Sequence, residues 1–410
     1  MSRRLAAGLT VGALSLAACG SDGGDVASDT TAATTTSSAA AETTAATAET
    51  TAATAETTAA TTATTAAASG GGELASLADE CAAEGAVNLI ALPDEWANYK
   101  GIIASFKEKY PDVDVTVANP NGSSAEEMEA VETLKGQKDQ PDNVDVSPAI
   151  AQEMVDKGLF EPYVPTVDAE IPAGLKDVDQ NWVASYYGIM AIVTNTTIVT
   201  NGAPTSFAEL KDSKYEGLVN LNGDPRESGA AFAAVMAASI ANGGSADDIM
   251  PGIEYFAELK SSGNLGGTDV TPATAISGET PIAIDWSYNV PGLQAQLEEA
   301  GLTVEVNFPS DGIYGGFYSQ GVIAGSPHQA CSKLWEEHIL SDDGALGYLE
   351  GGAVPARIVS LTERGLVTED AKKNLPPAEL LDQVSFLTPS QIAAAKQALA
   401  DNWGPMVADA

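Results

Sequence analysis

The 410-residue chain predicts an α/β protein whose folded part divides into two lobes. Three observations carry this. From Glu73 onward short apolar, alternating runs take turns with segments of helical periodicity, joined by short loops, which is the pattern of a doubly wound, mainly parallel sheet. The same alternation then begins again after Tyr186. The part from Glu73 to Ala410 also exceeds the length at which a single hydrophobic core keeps growing.

The elements follow in order. Leu74 to Glu84 reads as a short helix ending at Gly85. "AVNLIAL" (Ala86 to Leu92) is a strand, Pro93 to Trp96 a turn, and Tyr99 to Tyr110 a helix with Ile102, Ile103 and Phe106 on one side. "DVDVTVA" (Asp112 to Ala118) alternates as a strand. Ser124 to Glu127 opens a helix with a capping-box pattern. "NVDVS" is a short strand, and Pro148 to Lys157 a helix closed by Gly158. The second set starts with the strand "IMAIVTN" (Ile189 to Asn195). It continues with "SFAELKD" as a helix, "GLVNLNG" as a strand and Ser228 to Asn242 as a long helix of small residues. "PIAIDWS" (Pro281 to Ser287) is a strand followed by a helix through Glu299. "GVIAG" (Gly321 to Gly325), a helix over Gln329 to Leu340 and two helical pieces after Pro376 complete the chain.

The N-terminus reads as an export signal. Arg3 and Arg4 precede an apolar run from Leu5 to Ala18, too short to span a bilayer, which takes roughly 20 residues. Leu16-Ala17-Ala18-Cys19 resembles the lipobox of bacterial lipoproteins: residues 1–18 are the signal peptide, and Cys19 carries the lipid (a palmitate-type acyl anchor) at the new N-terminus. Residues 19–72 form an Ala/Thr-rich tether without Lys, Arg or aromatic residues. With nothing apolar to bury, such a tract does not order itself, and as a coil its span is roughly 40 Å.

Formal net charge is −38. Setting aside Arg3, Arg4 and the six acids before Glu73 leaves 17 basic and 51 acidic residues, a net −34. A field of that sign excludes nucleic acid as a partner and agrees with a cationic one. After Cys19 only Cys81 and Cys331 remain. An oxidising compartment permits a disulfide between them, with two buried thiols as the alternative.

Several ordered segments resemble type II extracellular solute-binding proteins of ABC importers, in the branch that includes spermidine/putrescine-binding and ferric-ion-binding proteins. "SFKEKYPDVDVTV" is similar to that family's first helix and second strand, and "NVDVSPAIAQEMVDKGLFEPY" to its strand, turn, helix and G-L-hydrophobic-E-P-Y. "SFAELKDSKYEGLVNL" and "HILSDDGA…EGGAVPAR" resemble two later signatures. The likeness runs from about residue 86 to 360. It implies a type II periplasmic-binding-protein fold, with a central ligand cleft between two lobes joined by hinge strands near Tyr186 to Ile192 and Tyr314 to Val322. The lobes would comprise residues 73–188 with 320–360, and 189–319 with 361–410. It further implies a monomer held at the outer membrane face by its lipid, with an ABC permease and ATPase as partners and no cofactor.

Loops at the carboxyl ends of strands are where such sheets bind ligands. The candidates there are Asp94, Glu95, Trp96, Ser147, Asp224, Arg226, Ser228, Asp285, Trp286, Tyr288, Tyr314 and Tyr318. Aromatic faces with carboxylates suit an amine or polyamine-like cation. "GDPRESG" (Gly223 to Gly229), with Arg226 and Ser228 at a helix start, suits a phosphonate, sugar phosphate or carboxylate, and both sets together a zwitterion. Ferric relatives carry a Tyr-Tyr pair where this chain has Ser287-Tyr288-Asn289, so ferric ion is the weaker alternative solute and no resident metal is expected. Polyamine-binding relatives carry an acid where this chain has Ser319-Gln320. No G-x-S-x-G, H-E-x-x-H or P-loop motif occurs. An exported hydrolase or glycosidase is the competing class, and carboxylates for the latter abound.

Overall fold

The computed structural model describes residues 72–409. Helix α1 (72–84) stops where Gly85 takes a φ of +78°, and β1 (Ala86–Ile90) follows. Helix α2 (Tyr99–Lys109) places Tyr99, Ile102 and Phe106 on one buried face at helical spacing. It is the crossover that lets β2 (Asp114–Ala118) pair in parallel with β1, from Ala86↔Asp114 to Ile90↔Ala118. Helix α3 (Ser124–Thr133) begins one residue earlier than the sequence suggested: Ser123 is the cap, and its reciprocal partner is Glu126. Strand β3 (Asn143–Val146) lies beside β1, because the Asp142 N–H donates to Asn88 O at 2.8 Å. Helix α4 (Pro148–Asp156) starts with proline in its first turn.

Strand β4 (Tyr186–Asn195) is the longest. It is followed by β5 (Val219–Leu221), α5 (Gly229–Ala241), α6 (Met250–Ser261), α7 (Pro272–Ser277), β6 (Ile282–Trp286), α8 (Val290–Glu299), β7 (Val304–Asn307), β8 (Gly315–Phe317) and β9 (Ser319–Val322). Helices α9 (Gln329–Leu340) and α10 (Asp342–Glu350), strand β10 (Val354–Pro355), and helices α11 (Ile358–Glu363), α12 (Ala378–Leu381) and α13 (Pro389–Trp403) close the chain. The first half of β4 pairs with β10 and β8, the second half with β6 and β7. Strand β9 leaves β8 and pairs with β3. Two chain segments, β4 and β8–β9, thus cross between the lobes.

The expected mainly parallel sheet is not what forms. Among the described residues β1–β2 and β5–β6 are parallel, and the other five ladders are antiparallel. The cause is the crossing itself: β4 runs through the second lobe's sheet against its neighbours, and β9 returns against β3. "SFAELKD" also differs from expectation. It forms only short 3₁₀ turns at Glu209–Lys211 and Ser213–Tyr215. There Asp311 accepts from the Phe207 and Ala208 N–H groups, and Asp212 caps the second turn.

Helix α5 is buried from Ala230 through Ser239. Its alanines let α6 approach so closely that a Cβ on Gly252 would sit 2.1 Å from Val235 O. Helix α13 packs on both α4 and α6, while Leu361 and Val367 pack with Ala345 and Leu349 of α10. Cys81 and Cys331 are joined, so a disulfide ties α1 to α9. No helix among the described residues is long and apolar enough to cross a membrane.

Candidate solute-binding cleft

The loops after β1, β2, β5 and β6, with the first turns of α3 and α5, enclose a cleft of about 860 Å³. Six carboxylates line it: Glu95, Glu127, Asp145, Glu227, Asp269 and Asp285. No Lys, Arg or His is among its described lining residues.

Three of these acids are deep. Glu127, Asp145 and Asp285 are 2%, 5% and 4% exposed. Burial pushes the Asp145 carboxyl up to about 7, against hydrogen bonds from Tyr99, Tyr186 and Gln320 that favour the charged form. Burial likewise holds Glu127 well above the carboxylate range, opposed by the Asp145 N–H at 3.0 Å and reinforced by the Asp145 charge. Asp285 is raised by burial, although Trp286 N, Asn289 Nδ2 and Asn222 Nδ2 donate to it at 2.7, 3.1 and 3.1 Å. Desolvated carboxylates without a cationic neighbour gain from a positive group entering beside them.

Aromatic rings form the floor. Trp96 is held in a tight turn by Ala97 and Asn98, whose φ values are +47° and +62°. Its Nε1–H donates to Tyr186 Oη at 2.7 Å. The Trp96 ring meets Tyr318 edge-on at 5.3 Å and Tyr288 at 5.5 Å, and Tyr288 stacks on Trp286 at 5.5 Å. Strands β4 and β8 pair through Gly188↔Gly316 at this point. A Cβ on Gly188 would lie 2.5 Å from Tyr288, and one on Gly316 2.2 Å from Trp286. Only bare backbone lets the rings lie against the crossing strands.

The sequence profile of the bacterial extracellular solute-binding proteins matches residues 141–381. The chain belongs to that family. Solute-binding proteins of this kind are extracytoplasmic and are not enzymes. The fold is similar to those of several solved relatives. The periplasmic binding protein AfuA of Actinobacillus pleuropneumoniae, with fructose-6-phosphate bound, has a TM-score of 0.60 at 18% identity, covering 78% of this chain and 99% of its own. The spermidine/putrescine ABC transporter substrate-binding protein PotD of Streptococcus pneumoniae gives 0.57 at 15% identity, covering 78% and 98%. Iron-bound HitA of Pseudomonas aeruginosa gives 0.57 at 20% identity, covering 77% and 97%. Both branches named from the sequence are therefore among the relatives, and their shared type II fold is this chain's. No curated protein sequence matches the chain.

In this solute-binding protein the sequence-derived candidates fall into three groups. Glu95, Trp96, Ser228, Asp285 and Tyr318 line the cleft. Ser228 also caps α5, accepting from Ala231 N at 3.2 Å. Ser147, Trp286 and Tyr314 instead surround a small space of about 40 Å³ behind Tyr318, and Tyr288 is fully buried between the rings. Asp94 is exposed, 3.8 Å from Lys100. Asp224 and Arg226 are engaged with each other: Arg226 Nε donates to Asp224 Oδ1 at 2.9 Å, which holds the carboxyl below its usual range, and neither residue lines the cleft. His328 pairs with Asp142 at 2.8 Å and His338 is buried against Phe106, both away from the cleft. The lipid-bearing Cys19 lies outside the described residues.

Sequence reasoning missed Glu127, Asp145, Asp269 and Asn289. Asp145 left one signal, the only charge in the short strand β3, set between Val144 and Val146. Glu127 left none, since an acid in a first helical turn reads as a response to the helix dipole.

Proposed function

We propose that this protein is the substrate-binding component of an ABC import system and that its solute is a small organic cation, an amine or polyamine. The observation that carries the proposal is the cleft's make-up: six carboxylates, no basic residue among those described, and the Trp96 and Tyr318 rings at its floor. A protonated amine offers charge-assisted hydrogen bonds to Asp145, Glu127 and Asp285 and cation–π contact to Trp96. Deep acids contributed from both lobes favour a solute with two cationic ends. Closure of the lobes about β4 and β8–β9 would then enclose it.

Cys19 carries the lipid that holds the protein outside the membrane. The monomer delivers its solute to a permease driven by a separate ATPase. The lobes divide near residues 188 and 320, while the later boundary, expected after residue 360, is placed further along the chain, because Leu361 and Val367 pack with Ala345 and Leu349 of α10. Anionic and zwitterionic solutes are disfavoured because Arg226 is already paired. Ferric ion is disfavoured because no group of three or more His, Cys, Asp or Glu among the described residues is placed to hold a metal.

The test is native mass spectrometry of the purified protein, followed by thermal-shift screening with amines, amino acids, phosphonates, sugars and ferric ion. A saturating ligand present at about a hundred times its Kd adds roughly 2.7 kcal/mol of stability. Stabilisation by putrescine or spermidine is expected. Stabilisation by a phosphonate or sugar phosphate alone would overturn the proposal.

A further inference from the structure

Asp145 holds both crossing strands as well as lining the cleft. Its Oδ2 accepts from Tyr99 Oη at 2.8 Å and from Tyr186 Oη at 3.1 Å, and Tyr186 opens β4. Its Oδ1 accepts from Gln320 Nε2 on β9. Gln320 Oε1 accepts in turn from Ser185 N at 2.9 Å, and the Val183 and Gln320 backbones bond reciprocally at 2.9 and 2.8 Å. Because Trp96 Nε1–H donates to Tyr186 Oη, an unbroken polar path runs from a ring in the cleft floor to the carboxylate and on to the second strand.

We infer that Asp145 is a positioning residue that couples occupancy of the cleft to the hinge: its ionised carboxylate receives the solute's cationic group while gripping Tyr186 and Gln320. The inference rests on the reading of the cleft as a cation site. Every side chain that meets Asp145 is acidic or neutral. Glu127 faces it from α3, Tyr99 from α2, Tyr186 from β4, Tyr348 from α10, and Tyr288 and Tyr318 from the loops beside β6 and β8. No cation within the protein therefore fixes its charge. Its raised pKa, about 7, places the residue between its two forms near neutrality. Capture of the solute below that pH releases a proton, and capture above it does not.

Two experiments test this on the purified protein. In the ligand-free protein, tryptophan emission is titrated from about pH 5 to about pH 9, across the range of a strongly raised carboxyl. A transition near neutrality is expected, lost in Asp145→Asn and in Trp96→Phe. Its absence from the wild type, or its persistence in Asp145→Asn, overturns the coupling. Spermidine binding is then measured by calorimetry at about pH 6 and about pH 8, where about tenfold weaker binding is expected at the lower pH because only the ionised fraction binds. Asp145→Asn should bind weakly and equally at both. Tyr186→Phe keeps the carboxylate but frees one strand. It should bind spermidine with a smaller decrease in radius of gyration by X-ray scattering. Equal wild-type affinity at both pH values overturns the coupling and leaves the cation reading standing. Failure of both spermidine and putrescine to bind at about pH 8 overturns the cation reading and the solute-gripping role with it.

Discussion

Trp96 and Tyr288 touch at 5.5 Å, yet they should fail differently when truncated. Trp96 is half-buried and faces the cleft, so Trp96→Ala should weaken amine binding at least tenfold with a small loss of stability, read by calorimetry and thermal melting. Tyr288 is fully enclosed, and Tyr288→Ala should cost about 3–5 kcal/mol of folding stability, as large aromatic truncations do. Denaturant midpoints separate the two. His338 supplies a pH effect. Burial lowers its pKa to about 4, with Nε2 placed 2.9 Å from Ser105 Oγ. The unfolded chain takes up its proton near the ordinary value of about 6.5 and the folded chain resists, so stability falls as pH drops from there towards 4, by roughly 3 kcal/mol in all. Asp145 acts with the opposite sign: between about 4 and 7 the folded protein keeps a proton that the unfolded chain has released, and stability falls as pH rises. Urea midpoints at several pH values should show each slope vanish separately in His338→Gln and Asp145→Asn. At this scale the sequence showed residues whose neighbours lie close along the chain, such as Trp96 beside Glu95 and Ser228 at the start of α5. It hid Glu127 and Asp145, because burial is what distinguishes both, and the company of Asp145 comes from β9, 175 residues away.

The crossing strands owe their form to glycine. Gly188 and Gly316 are paired across β4 and β8, and each lies under an aromatic ring. Gly188→Ala and Gly316→Ala should each push a ring off the strand, lowering melting temperature and weakening solute binding together, whereas alanine at the exposed, unobstructed Gly267 should do neither. Parallel melts and binding isotherms decide this. Most helices were legible from periodicity and caps: α9 runs over Gln329–Leu340 as the pattern indicated, and α5 differs from it by a cap residue at each end. Strand direction was not legible, because alternating strands and helices read alike whether the chain stays in one sheet or crosses to another. "SFAELKD" misled for a related reason: its apolar spacing is helical, but Asp311, a hundred residues later, claims its first N–H groups.

For the whole molecule, the charge of −38 and the acidic cleft should act together on a cationic solute. Association should slow steeply as salt rises from about 10 mM to about 150 mM, over which the Debye length falls from about 30 Å to about 8 Å, and stopped-flow traces at several ionic strengths should show it. An unchanged rate would argue that capture depends on the pocket alone. The disulfide acts at the same scale. Closing a loop of 250 residues, it should contribute roughly 5 kcal/mol on a chain-entropy basis, lost on reduction in a calorimetric scan. It also sets a load path. Force arriving along the chain from the N-terminal side meets α1 first and could unwind that helix only as far as Cys81. From there the tension passes through sulfur into α9, whose Leu334, Trp335 and Ile339 are buried in the main core. Held by its N-terminus and pulled in an optical trap, the protein should yield at low force only after a reductant is added, so a load applied from that side leaves the cleft unstrained.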